Sequence, residues 1–147
     1  MADTIILYYS YTGTTKERAQ ALAKRREADL FELEYVQPPG KVQAYVAGSL
    51  SAMRGRPAEI KPIMADLAKY ETIVLMAPVW AGWPAPPLNN MVEVLPEGKK
   101  VEVWLVSGGG SSRAKVKLAT QLLEKGCEMT RYVDVGPQFN LDYYNEQ

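Results

Sequence analysis

The chain predicts a three-layer α/β fold, in which helices doubly wind one parallel five-stranded sheet of order 2-1-3-4-5. Three observations carry this. Strand-like apolar runs alternate with helical patterns along the chain, which implies parallel strands joined by right-handed crossovers. The first and third runs, Thr4 to Tyr9 and Thr72 to Ala77, are almost continuously apolar and therefore central. The second and fifth, Phe31 to Val36 and Met129 to Val135, are mixed in polarity and therefore edges.

Taken in order, the run TIILYY opens the sheet. Thr14 to Arg26 then places Ala19, Leu22, Ala23 and Arg26 near one helical face. In FELEYV, Phe31, Leu33 and Tyr35 alternate with Glu32 and Glu34, as in a strand with one wet face. Pro38-Pro39-Gly40 breaks the pattern, and Lys41 to Arg54 resumes helical spacing through Val42, Tyr45, Val46, Leu50 and Met53. Pro62 suits the first turn of a short helix ending near Lys69, with Ile63, Met64 and Leu67 inward. The run TIVLMA is followed by a loop of proline, glycine and tryptophan, Pro78 to Pro84. Leu88, Met91, Val92 and Leu95 form a clean i, i+3, i+4, i+7 face. VEVWLVS is the fourth strand. Glycines and serines follow it, then a helix with Leu118, Ala119, Leu122 and Leu123 inward and Gly126 as its stop.

With 147 residues the chain predicts one domain, 1–147, whose last residues, 136–147, form a tail without periodicity. Lysine plus arginine and aspartate plus glutamate are 17 each, so the formal charge is zero. That gives no basic footprint for nucleic acid. There is one cysteine, Cys127, and no histidine. An intramolecular disulfide and the usual zinc sites are excluded, and the commonest general base is missing. Chemistry carried by a bound organic cofactor fits these absences. No apolar run approaches the roughly 18 residues of a membrane span. Met1-Ala2-Asp3-Thr4 lacks the basic segment and apolar core of a signal peptide. The expectation is a cytoplasmic chain that engages no membrane.

The stretch Ser10-Tyr11-Thr12-Gly13-Thr14-Thr15 stands where the first strand becomes the first helix. Free N–H groups of a first helical turn, the helix dipole and several hydroxyls make such a junction a phosphate cradle. Alone, the stretch is equally consistent with a helix cap and a glycine turn. In a sheet of the expected order, ligands sit beyond the carboxyl ends of the strands. The loops leaving the first, third and fourth strands would converge there.

With these motifs at those strand ends, the chain resembles the flavodoxin family over roughly Thr4 to Val135. SYTGTT fits the family's hydroxyl-x-Thr-Gly-x-Thr phosphate loop, and PVWAGWPAPPLNNMVE is similar to its second loop and following helix. The resemblance implies a flavodoxin-like fold and FMN as cofactor. It implies that Ser10, Thr12, Gly13, Thr14 and Thr15 hold the phosphate. Trp80 would stack on the flavin, with Tyr11 and Trp83 as further candidates within reach of it. Pro78, Val79, Ala81 and Gly82 complete the second loop, and backbone near Ala81 and Gly82 would meet the N5 edge. Ser107, Gly108, Gly109 and Gly110 would approach the pyrimidine edge. Lys16 reads as a solvated residue and Cys127 as a structural thiol.

Three departures stand out. The chain is neutral where many family members are acidic, and the third loop lacks an aromatic. The usual C-terminal helix is also missing, because Asn140 to Gln147 is too short and poorly patterned. Phe139, Leu141, Tyr143 and Tyr144, or a second subunit in a homodimer, are expected to lie over the sheet face it would cover. The function implied is an FMN-binding electron carrier served by a reductase and an acceptor protein. The alternatives are an FMN-dependent NAD(P)H oxidoreductase acting on quinones or similar acceptors, and a binding module without flavin.

Overall fold

The computed structural model describes residues 3–40, 47–137 and 140–141. The near-continuous apolar runs become β1 (Thr4–Tyr8), β3 (Thr72–Trp80) and β5 (Lys100–Val106), the centre of the sheet. β2 (Asp29–Glu32) and β6 (Glu128–Val135) are its edges. The order is β2-β1-β3-β5-β6, with every neighbouring pair parallel. This is the expected 2-1-3-4-5 order. The additional strand, β4 (Trp83–Pro84), is two residues long and folds back antiparallel on β3.

Because side chains alternate along a strand, the sheet carries two cores. On one face Ile5, Leu7, Ile73, Leu75, Val101 and Val103 meet Leu88, Met91 and Val92 of α3 (Pro87–Glu93). Leu118 and Leu122 of α4 (Lys115–Glu124) complete that side. On the other face Ile6, Tyr8, Val74, Met76 and Trp104 meet Ala19, Leu22 and Ala23 of α1 (Thr14–Arg26). Gly126 takes φ +77° and donates to Leu123 O, ending α4 as expected. Cys127 is buried, and its thiol donates to Pro96 O at 3.1 Å.

Several boundaries differ from expectation, each for a local reason. The second strand was expected over Phe31 to Val36, but pairing runs only from Asp29 to Glu32. β1 ends at Tyr8 and offers a later partner only for Leu33 N. Pro62 to Lys69 is not a helix. Tyr35 bridges Ile60, and Lys61 N donates to Glu34 O, which draws this segment into an extended path. Met64 is 81% exposed, and only Leu67–Lys69 closes a 3-10 turn. Within the expected Lys41 to Arg54 helix, α2 (Ser49–Met53) buries Ala52 and leaves Leu50 and Met53 exposed. Val42, Tyr45 and Val46 lie outside the described residues. Leu123 is 74% exposed, because Leu118 and Leu122 already fill the narrow stripe that α4 presents. Of the tail residues, Leu141 is half-buried against the second core, while Phe139, Tyr143 and Tyr144 lie outside the described residues.

One polar group is built into the second face. Glu102 of β5 is buried there and receives both Nη1 and Nη2 of Arg26, each at 2.9 Å. Trp104, two residues on and so on the same face, donates Nε1–H to Glu102 Oε1 at 3.0 Å. Arg131, the cross-strand partner of Glu102 on β6, sits 5.0 Å from the Trp104 ring centroid.

Candidate functional site

The carboxyl ends of β1, β3, β5 and β6 open onto one cleft of about 420 Å³. Tyr11, Thr12, Thr14, Thr15 and Arg18 form its first wall, Pro78, Val79 and Trp80 its second, and Val106, Ser107 and Gly108 its third. Gly136 and Pro137, just past β6, add a fourth.

The first wall is set by the strand-to-helix junction. Gly13 caps α1 with φ +101°, a left-handed conformation that a Cβ would strain, and Glu17 N donates back to Gly13 O. Ser10 Oγ accepts the Gly13 N–H at 3.0 Å. No side chain caps α1 itself, so its first-turn N–H groups keep the outward, partner-seeking state of a helix start. Thr12 and Thr14 hydroxyls stand 3.5 Å apart, both exposed, and Thr15 is buried at the base. The third wall repeats the device. Ser107 Oγ accepts the Gly110 N–H at 2.9 Å, again three residues on. A Cβ built on Gly108 or Gly109 would meet nothing within 4 Å, so backbone faces open space in this loop.

The second wall exists because β3 outruns its neighbour. β1 leaves the sheet after Tyr9 N donates to Met76 O, and β3 continues to Trp80. Pro78 is tolerated there because no β1 carbonyl needs its missing N–H. Ala81 and Gly82, at φ +55° and +88°, form the two-residue turn that returns the chain through β4. Arg113 N donates to Gly82 O at 2.7 Å and ties this tip to the loop after β5. Trp80 is half-buried, edge-on to Tyr9 and Tyr11 with centroids 6.2 and 5.8 Å away. Its ring lies against Gly48, where a Cβ would fall 2.7 Å from Cζ3. Only glycine fits beneath the indole there. Sequence inspection missed Gly48, and no local pattern marks it.

The structure therefore brings nine of the sixteen expected residues to the cleft: Tyr11, Thr12, Thr14, Thr15, Pro78, Val79, Trp80, Ser107 and Gly108. Ser10, Gly13 and Gly110 act behind them, in loop hydrogen bonds. Ala81 and Gly82 form the hairpin tip, and neither they nor Gly109 belong to the lining. Trp83 does not line it either; its ring takes the Lys117 ammonium at 5.4 Å. Lys16 is exposed and 3.9 Å from Glu32. Arg18, which sequence inspection passed over, is the charged residue in the lining among those described. Its signal was the i+4 spacing from Thr14.

Tyr11 also borders a second hollow of about 290 Å³ with Tyr9, Tyr35, Glu34 and Lys61. Burial pushes the Tyr35 phenol up to about 12 and raises Tyr9 further, with Tyr35 and Tyr11 adding to the Tyr9 shift. Burial, then Glu32, pushes Tyr8 up to about 12. The hydrogen bond to Asp29, then burial, does the same for Tyr70. The folded state thus favours the neutral phenols. Their contribution to stability is complete below the ordinary tyrosine value of about 10 and is lost as pH climbs from there toward about 12. In an alkaline absorbance titration of the folded chain these four tyrosines should ionise well after the ordinary value of about 10. Ionisation of all tyrosines near pH 10 in a chain that keeps its fold would contradict this.

A family model described as Flavodoxin matches residues 3–134. The chain belongs to the flavodoxin family. A flavoprotein from Lactobacillus acidophilus NCFM in complex with FMN superposes with a TM-score of 0.73 at 23% identity, over 90% of this chain and 92% of that one. The apo-form of the flavoprotein from that organism gives 0.66 at 24%, over 91% and 93%. A flavodoxin from Streptococcus pneumonia TIGR4 gives 0.58 at 14%, over 97% and 90%. No curated protein matches the chain. Among the described residues no helix is long and apolar enough to cross a membrane, and no cluster of metal-binding side chains occurs.

Proposed function

We propose that this chain binds FMN in the cleft and serves as an electron-transfer flavoprotein. The observation that carries the reading is the convergence of an uncapped helix start, a half-buried tryptophan and a glycine loop on one cleft of about 420 Å³. The donor set suits the cofactor: hydroxyls and first-turn amides for a phosphate, an indole for a ring, open backbone for a polar heterocycle edge. Thr12, Thr14, Thr15 and the amides after Gly13 would hold the phosphate, with Ser10 fixing their loop. Trp80 and Tyr11 would flank the ring, and Ser107 and Gly108 would meet its polar edge. Bound FMN supplies reversible one- and two-electron chemistry. The protein's part is to bind, orient and shield, which needs no side-chain acid or base, in keeping with a chain that has no histidine.

The partners proposed are a reductase that delivers electrons and a protein that accepts them. With zero formal charge, docking would rest on shape and apolar contact more than on long-range steering. The loop after β5 contributes only serine and glycine from Ser107 to Ser112, and this favours a second reading. Without an aromatic cover from that loop, NAD(P)H could reach the flavin directly, and the chain would be an oxidoreductase.

The test is to titrate FMN into the purified apo-chain and follow the flavin absorbance and the quenching of its fluorescence. Saturable one-to-one uptake is expected. A colourless chain that takes up no FMN would overturn the reading and leave a binding module. Adding NAD(P)H to the loaded chain then separates carrier from enzyme, because a carrier stays oxidised until a separate reductase is supplied.

A further inference from the structure

We propose that Arg18 is the charge partner of the cofactor phosphate, and that it makes the cleft select phosphorylated flavin over riboflavin. The inference deepens the FMN reading and rests on it. Arg18 sits one turn below Thr14 and Thr15, and residues at i, i+3 and i, i+4 share a helix face. Side chains on a helix lean toward its N-terminus, so a long residue at this position reaches back toward the amides and hydroxyls of the first turn. The lining agrees, since Arg18 borders the same cleft as Thr12, Thr14 and Thr15.

The guanidinium is also anchored. Arg18 Nη2 donates to Pro137 O at 3.2 Å, which ties α1 to the segment leaving β6 across the cleft's fourth wall. A guanidinium carries five donors in a planar fork, so it can serve several partners at once, an anion among them. Arg18 is half-buried, where a charge is screened less than at the surface. Among the described residues no acidic side chain lines the cleft, so nothing in that lining opposes a dianion. The nearer lysine in sequence, Lys16, faces solvent beside Glu32 instead.

The experiment compares FMN with riboflavin, which has the ring but no phosphate. Each flavin is titrated into the apo-forms of the wild-type chain, Arg18→Ala and Arg18→Lys, with fluorescence quenching as readout. Hydrogen bonds to charged groups predict that Arg18→Ala weakens FMN about ten-fold or more. Riboflavin affinity should stay within about two-fold, because its ring contacts are untouched. Arg18→Lys should recover part of the FMN preference, since the charge remains and the fork does not. Wild-type affinity for FMN should fall with added salt while that for riboflavin stays flat. Equal losses for both flavins in Arg18→Ala would mean a purely structural arginine and overturn the proposal, as would no loss at all. If Arg18→Ala does not fold, the wild-type salt series decides, and a salt-independent FMN affinity overturns it. A wild-type chain that binds both flavins equally well overturns this assignment alone. One that binds neither overturns the cofactor reading beneath it.

Discussion

Glu102→Ala should destabilise the fold by about 3 kcal/mol, read as a lower denaturation midpoint. Removing one partner of a buried pair leaves the other charge uncompensated, which is the costly half of such an arrangement. Here Arg26 would lose both carboxylate bonds, and its side chain is 16% exposed and has little room to reach water. Trp104 Nε1–H would lose its acceptor in the same step. Against a typical total of about 5–15 kcal/mol, that is a large share of stability. The paired change, Glu102→Leu with Arg26→Leu, should recover most of the loss, because replacing both charges removes their desolvation as well. A double-mutant cycle measures the coupling directly. A loss below about 1 kcal/mol for Glu102→Ala would mean that the pair behaves like a surface ion pair.

Trp80→Ala should reduce FMN affinity on the order of 50-fold, with only a modest loss of stability. Aromatic contact contributes about 0.5–1.5 kcal/mol beyond area burial, and the lost apolar area adds a comparable amount. The indole is held edge-on by Tyr9 and Tyr11 and lies against Gly48, so its orientation is fixed before any ligand arrives. Trp80→Phe should keep most of the affinity, since an aromatic face survives. Titration of both variants by flavin fluorescence is the measurement, with a denaturation curve as control. Unchanged affinity in Trp80→Ala would remove this residue from the site.

The order of the sheet was legible in the sequence because burial on two faces leaves a plain trace. Continuous apolar runs became the central β1 and β3, and mixed runs became the edges. The face of α3 was equally plain, with Leu88, Met91, Val92 and Leu95 all buried. Positions set by long-range backbone bonds were not legible. Nothing in Pro62 to Lys69 announces that Lys61 N will bond to Glu34 O and forestall a helix. The hairpin at Ala81-Gly82 was hidden for a related reason: proline and tryptophan spoke for a loop, and the turn lacks the usual Asn-Gly signal. Charged residues were the least legible. Glu102 carried no mark in the run VEVWLVS beyond its place in a strand, and it is buried with Arg26. Arg18 was passed over altogether, although it lines the cleft.

The two serines at the cleft have a further consequence. Ser10 and Ser107 each hold the amide of a glycine three residues on, so both loops are latched by their own side chains. A ligand would meet walls already in their binding shape, and little chain entropy would remain to be lost on association. Uptake should then run at the pace of diffusive encounter, as a single phase without a slower ordering step. Affinity differences among variants of the two loops should appear mainly in how fast the ligand escapes.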